Sequence, residues 1–158
     1  MRPDEAPSIW DTLVAAGAVP VGVEALEMFR VTAGSPRYGV DIRERDLPQE
    51  TAQMQALNFA KGCYIGQEIV ERIRSRGNVH RTFTGFTVEG TTPLPGAKIH
   101  GAGKEIGEIT TALPVPAGER DRVLALGYVR REAAKPGSAL QVDGGAVIVT
   151  DLPFKDIL

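Results

Sequence analysis

The sequence predicts an α+β chain in two parts, an α-rich half followed by a small antiparallel β-barrel of about six strands. Three observations carry this. Ile65, Ile69 and Ile73 recur at i, i+4 and i+8, the spacing of one helix face. Beyond residue 82, six short alternating or β-branched runs are separated by Gly/Pro turns such as PLPG and VDGG. Between these patterns, near Val79–Thr82, the character of the chain changes, which divides it into 1–81 and 82–158.

The elements follow in order. Ser8 precedes Ile9, Trp10, Leu13 and Val14, with Asp11 three places on, so Ser8–Ala16 reads as a capped amphipathic helix ended by Gly17. Pro20 introduces a second helix carrying Val23, Leu26, Met28 and Phe29. Gly34, Pro36 and Gly39 make Thr32–Asp41 a turn-rich loop, and Met54, Leu57 and Phe59 suggest a short helix within Pro48–Phe59. The strongest helix begins near Tyr64–Gly66 and stops at Gly77–Asn78, with Glu68 and Arg72 as an acid-before-base pair and Arg72, Arg74 and Arg76 toward its C-terminal end. The strands are expected at Phe83–Glu89, Ala97–His100, Ile106–Thr111, Val123–Val129, Ala139–Val142 and Ala146–Thr150. Closure into a barrel removes the edges an open sheet would expose.

Composition narrows the function. Of 158 residues, 42% are hydrophobic and 24% charged, which suits a domain with a real core. No apolar run approaches the roughly 20 residues of a membrane-spanning helix, and the start MRPDEAPSIW lacks the basic and apolar segments of a signal peptide. A net charge of −2 argues against a surface devoted to nucleic acid. The single cysteine excludes a disulfide scaffold and points to a reducing, cytoplasmic setting. His80 and His100 lack ligand spacing, so no metal site is expected, and no GxSxG elbow suggests a hydrolase. Gly101–Gly103 and Gly144–Gly145 are turn glycines between strands.

Chemistry concentrates in KGCYIGQE, Lys61–Glu68. A helix starting at Tyr64–Gly66 would put the Cys63 thiol at its N-terminus beside Lys61, and both features favour a thiolate. The alternative is a small buried hydrophobe. Gly62 and Gly66 allow close backbone approach, and Gln67 and Glu68 would display an amide and a carboxylate beside the thiol, although a solvated helix face explains them as well. Lys61, Arg72, Arg74, Arg76 and Arg81 outnumber Glu68 and Glu71, a local basic patch that could meet a polyglutamate tail or a phosphate. RNA fits less well, because few aromatics are interleaved.

KGCYIGQE resembles the signature of the folate-binding YgfZ proteins, the branch of the glycine-cleavage T-protein (aminomethyltransferase) superfamily that supports iron–sulfur enzymes. RVTAGSPRYGVD (Arg30–Asp41), LPQE (Leu47–Glu50), ALGYVRR (Ala125–Arg131) and LPF (Leu152–Phe154) fall in the family's order. The resemblance implies that 1–81 ends a folate-binding core and 82–158 is the family's C-terminal barrel. It also implies tetrahydrofolate as ligand, iron–sulfur enzymes or assembly factors as partners, and Cys63 as the reactive thiol. Lys61, Gly62, Tyr64, Gly66, Gln67, Glu68, Arg72 and Arg30 would be the accompanying motif or binding residues. Two departures matter. Thr32 stands where aminomethyltransferases carry the acidic residue that recognises the pterin, and family members are about twice as long, so the chain looks like the C-terminal half of a longer protein. Three functions therefore compete: a folate-binding protein assisting iron–sulfur enzymes, an aminomethyltransferase of glycine cleavage, and a non-catalytic barrel that binds a partner. An apolar face and dimerisation of the first half are expected if the chain stands alone.

Overall fold

In the computed structural model, described over residues 2–77, 79–118, 120–143 and 145–155 and without the side chains of Arg76 and Arg120, six strands form a closed antiparallel barrel. They are β1 (Arg81–Glu89), β2 (Lys98–Gly101), β3 (Lys104–Ala117), β4 (Arg120–Arg130), β5 (Ala139–Val142) and β6 (Gly145–Thr150), paired in the order β1-β4-β3-β2-β5-β6. Each expected run lies on one of them. β3 runs past Thr111 to Ala117 because Leu113–Ala117 pairs with Arg120–Leu124 despite two prolines. Asn78, Gly144 and the Arg76 side chain, which entered the helix stop, a turn and the basic patch, lie outside the described residues.

Alternation along the strands sets two apolar layers. Phe86, Val88, Ile99, Ile109, Ala125, Val129, Val147 and Val149 fill the barrel. From the same strands, Phe83, Leu124, Leu126 and Tyr128 form an outer layer with Val31, Val115 and Phe154. β4 is thus buried on both faces, which is why Val123–Val129 reads as an almost unbroken apolar run. Phe83 and Tyr128 face each other in register and meet edge to face, with centroids 5.3 Å apart. Two glycines let β3 and β4 approach: a Cβ on Gly107 would strike the Tyr128 carbonyl, and one on Gly127 the Glu108 carbonyl. Gly85 makes room on the outer wall, where a Cβ would lie 2.7 Å from both Leu152 and Phe154.

Three helices precede the barrel: α1 (Ala6–Ala15), α2 (Val23–Thr32) and α3 (Gln67–Arg76). α1 starts two residues before Ser8. The Ser8 hydroxyl donates to the Glu5 carbonyl at 2.9 Å inside the first turn, so it does not cap the helix. Pro48–Phe59 holds only a 3₁₀ turn at Met54–Ala56, because the surrounding backbone is spent on turns such as Glu50 N–H to Leu47 O at 2.8 Å. The Ile65/Ile69/Ile73 face is not the core face of α3. Ile65 precedes the helix and is fully exposed, Ile69 is 53% exposed, and Val70 is the residue that buries.

α1 buries no residue, and Ile9, Trp10, Leu13 and Val14 on α1 and Leu26 and Phe29 on α2 are all at least 41% exposed, so both helices present apolar side chains to solvent. A ten-residue helix is marginal in water without such side chains being covered. Among the described residues, no helix is long and apolar enough to cross a membrane, and no group of three metal-binding side chains assembles.

Candidate functional site

The segment before α3 is a loop shaped by two local devices. The Asn58 side-chain oxygen accepts the Ala60 and Lys61 N–H groups at 2.9 and 3.0 Å, closing a turn. Gly66 then adopts φ +90°, a left-handed conformation that glycine tolerates, and α3 begins only at Gln67. Cys63 therefore lies four residues before the first helical residue, not at the helix end, and the dipole argument for its thiolate does not apply. Its side chain is exposed, which also removes the buried-hydrophobe alternative. A pocket of about 530 Å³ is lined by Cys63, Tyr64, Gln67, Glu68, Ile69 and Glu71. Lys61 Nζ sits 4.7 Å from the Tyr64 ring centroid, a cation–π contact that turns it along the loop.

The expected basic patch is dispersed. Arg74 lies over the Phe59 ring at 4.5 Å and contacts Glu71 at 3.4 Å, and that acid, rather than Glu68 with Arg72, forms the ion pair seen on α3. Arg81 turns away to Asp46 and Glu50, at 2.8 and 3.0 Å. Arg74 and Arg81 thus each meet acids of their own, while Lys61 lies against the Tyr64 ring. Gly62 and Arg72 are exposed.

Arg30 has a different role from the motif residues. Nε and Nη2 donate to Glu27 Oε2 at 3.1 and 2.9 Å, Nη1 to Asp41 Oδ2 and the Ser35 carbonyl at 2.7 and 2.8 Å, and Nη2 to Thr111 at 3.4 Å. These contacts use every donor of the guanidinium. Asp41, fully buried, also accepts from Thr110 at 2.5 Å, Thr111 at 2.7 Å and the Arg37 amide at 2.9 Å. The β3 bulge between Ile109 and Thr111 lets both threonine hydroxyls reach one carboxylate. Thr32 is buried, and its hydroxyl bonds back to the Met28 carbonyl at 2.7 Å.

A second buried acid, Asp46, repeats the arrangement. Its Oδ2 accepts the Arg43 amide at 2.7 Å and its Oδ1 the Arg81 guanidinium, which lies 4.7 Å above the Tyr128 ring. Burial, reinforced by the Asp46 carboxylate, pushes the Tyr128 hydroxyl above its ordinary pKa. Asp41, Asp46, Thr110 and Tyr128 were not candidates from sequence. Asp41 and Tyr128 lie within the quoted RVTAGSPRYGVD and ALGYVRR segments, so the signal was position within those segments and not residue type.

Residues 81–156 match the glycine cleavage T-protein C-terminal barrel domain. The match takes in all six strands of the barrel. Over 98% of its length the chain is 31% identical to a chloroplastic protein of Arabidopsis thaliana whose name gives a transferase and no substrate, covering 35% of that protein. It is 34% identical to an aminomethyltransferase of Rubrobacter xylanophilus over 84% of the chain, again covering 35% of the relative. The crystal structure of the glycine cleavage system aminomethyltransferase T of Bartonella henselae superposes with a TM-score of 0.81 over 96% of the chain, at 24% identity, and the chain covers 44% of it. The barrel and the helices before it thus share the fold of that enzyme's corresponding part, while the chain spans less than half the length of these relatives.

Proposed function

We propose that the chain is the C-terminal part of a tetrahydrofolate-binding protein of the aminomethyltransferase type, joining one wall of a folate cleft to the T-protein barrel. The observation carrying this reading is the barrel match at 81–156, together with relatives named aminomethyltransferase that align across the α-rich half as well. In such a protein a one-carbon unit passes from a carrier-bound aminomethyl group to tetrahydrofolate. The residues here that fit part of the folate are those of the Cys63 pocket, where Gln67 and Glu68 offer an amide and a carboxylate. Thr32 does not fit a pterin contact, because its hydroxyl is buried and bonded to Met28. Arg30 fits a positioning role, holding α2 to the loop and barrel. Residues 1–81 would act as the end of the folate-binding core and 82–158 as the barrel domain.

A second reading, a folate-binding protein of the YgfZ kind that assists iron–sulfur enzymes, is favoured by the KGCYIGQE match and the exposure of Cys63. The two readings separate experimentally. The protein containing this chain and the remainder of the fold is assayed with aminomethylated carrier protein and tetrahydrofolate, and binding of tetrahydrofolate is measured by calorimetry. Turnover supports the transferase. Folate binding without turnover, together with loss of an iron–sulfur enzyme's activity on Cys63→Ala, supports the second. Absence of folate binding refutes both and leaves a barrel that binds a partner.

A further inference from the structure

A second cavity, also of about 530 Å³, opens beside the C-terminal half of α3 and shares no residue with the Cys63 pocket. The 49–54 loop, α3 and the entry to β1 enclose it. Its wall is largely apolar, built from Met54, Phe59, Ile73 and Val79. Arg74, on the same wall, stacks on the Phe59 ring at 4.5 Å and is already engaged by Glu71 at 3.4 Å.

Gln49 brings an unmatched polar atom to this wall. Its Nε2 donates to the Val70 carbonyl at 3.1 Å, which fixes the orientation of the amide and leaves Oε1 buried with no hydrogen-bond partner among the described residues. A buried acceptor without a donor destabilises the fold, and a ligand that supplies the donor removes that cost. Ala52, on the same wall, adopts φ +57°, a left-handed conformation that disfavours a side chain. The residues before it hold it there: the Phe83 amide donates to the Glu50 carbonyl at 2.7 Å, and the Thr51 hydroxyl to the Pro48 carbonyl at 2.8 Å. An orphaned polar atom and a strained backbone meeting at one cavity point to a ligand.

We propose that this cavity binds an uncharged aromatic heterocycle carrying one ring N–H, which it donates to Gln49 Oε1. The apolar wall disfavours a charged ligand, because an ion desolvated against Met54, Phe59, Ile73 and Val79 is not repaid there. One open acceptor calls for one donor, and the Phe59 ring and the Met54 thioether suit a flat π-system. The oxygen is buried, so seating the ring includes a shift of lining side chains. Met54, 50% exposed and unbranched, is suited to move. This site is independent of the folate reading.

The test is an NMR titration of the 158-residue chain with indole and with benzofuran, a ring of the same shape that lacks the N–H. The expected result is saturable shifts of the Gln49 side-chain amide and of the Ile73 and Thr82 backbone amides with indole, which binds roughly threefold or more tighter than benzofuran even though benzofuran is the more apolar ring. Both ligands meet the native chain, so this comparison does not depend on the folding of any variant. In Gln49→Met, which keeps the length of the side chain but not its oxygen, the preference for indole should disappear. Lys104→Ala, exposed and outside the cavity, should leave both titrations unchanged. A response to indole that does not saturate, that falls on α1 and α2 instead of the cavity, or that benzofuran matches in affinity overturns the proposal, as does a preference for indole that survives Gln49→Met.

Discussion

Replacing Asp41 tests the account of how the α-rich half is held to the barrel. Its carboxylate has no exposed surface and accepts from Thr110, Thr111, Arg30 and the Arg37 amide, all at 2.9 Å or less. In Asp41→Ala the Arg30 guanidinium, 12% exposed, keeps Glu27 but loses its buried partner, and two threonine hydroxyls lose an acceptor. Removing one partner of a buried pair costs about 3–5 kcal/mol, a large share of the roughly 5–15 kcal/mol of a whole domain. Asp41→Asn should cost less, about 1.5–3 kcal/mol. Its amide oxygen can face Arg30, and its NH₂ can face the threonines, whose hydroxyls can turn to accept; Thr110 would then donate only to the Leu126 carbonyl, at 3.1 Å in the native chain. Urea unfolding followed by circular dichroism gives the total, and amide exchange locates it. The loss should appear first in α2 and the 33–53 loop, with β5 and β6 protected. As a comparison, Glu105→Ala removes a pair whose side chains are 48 and 55% exposed and should cost at most about 1 kcal/mol. The reasoning fails if Asp41→Ala costs no more than Glu105→Ala, or if Asp41→Asn is the worse of the two carboxylate replacements.

Gly107→Ala should destabilise the barrel by about 3 kcal/mol or more, because the new Cβ meets a backbone carbonyl that cannot rotate away, and the thermal midpoint should fall accordingly. Tyr128 gives a pH dependence. Its folded pKa lies above the unfolded value of about 10, so the folded state holds a proton the unfolded state gives up, and stability should decline as pH rises past 10. Tyr128→Phe should flatten that decline in urea titrations at alkaline pH, and an unchanged slope would contradict it. Leu13→Lys combined with Phe29→Lys should lower dye binding and self-association without loss of the thermal midpoint, since both side chains are more than half exposed. Cys63→Ala should likewise leave the unfolding free energy within about 0.5 kcal/mol of the parent, because the side chain is exposed.

The barrel was legible in the sequence because each strand carries its own signal: β-branched alternation between Gly/Pro turns locates six strands, and closure follows from their number and spacing. The helical half was less so. Val70 is buried while Ile69 is half exposed, and the Gln49 amide donates to the Val70 carbonyl at 3.1 Å, a contact between residues 21 apart that periodicity does not register. The Cys63 environment was misplaced by one turn, since KGCYIG has no helix breaker before Gly66 other than Gly62, and only the left-handed φ of Gly66 fixes the start of α3. The two buried acids were invisible for a related reason. Asp41 and Asp46 sit among charged neighbours in VDIRERD, a stretch that reads as solvated surface until Arg30 and Arg81 arrive from either side.

Those two acids also bear on how site mutations are to be read. The 41–50 loop is fastened at one end by Asp41 to α2 and β3, and at the other by Asp46 and Glu50 to Arg81 at the start of β1. Gln49, from the same loop, holds the α3 backbone, and α3 follows directly from the segment that carries Cys63. A change at Arg30 or Arg81 therefore reaches the Cys63 pocket through packed elements without either residue touching a ligand there. Loss of folate binding in an Arg30 variant would not make Arg30 a binding residue. The distinguishing sign is coupling: a positioning role makes the effects of Arg30→Ala and Asp41→Ala on the alkylation rate of Cys63 strongly non-additive, since either change releases the same loop, whereas a direct ligand contact leaves that rate untouched in the absence of folate.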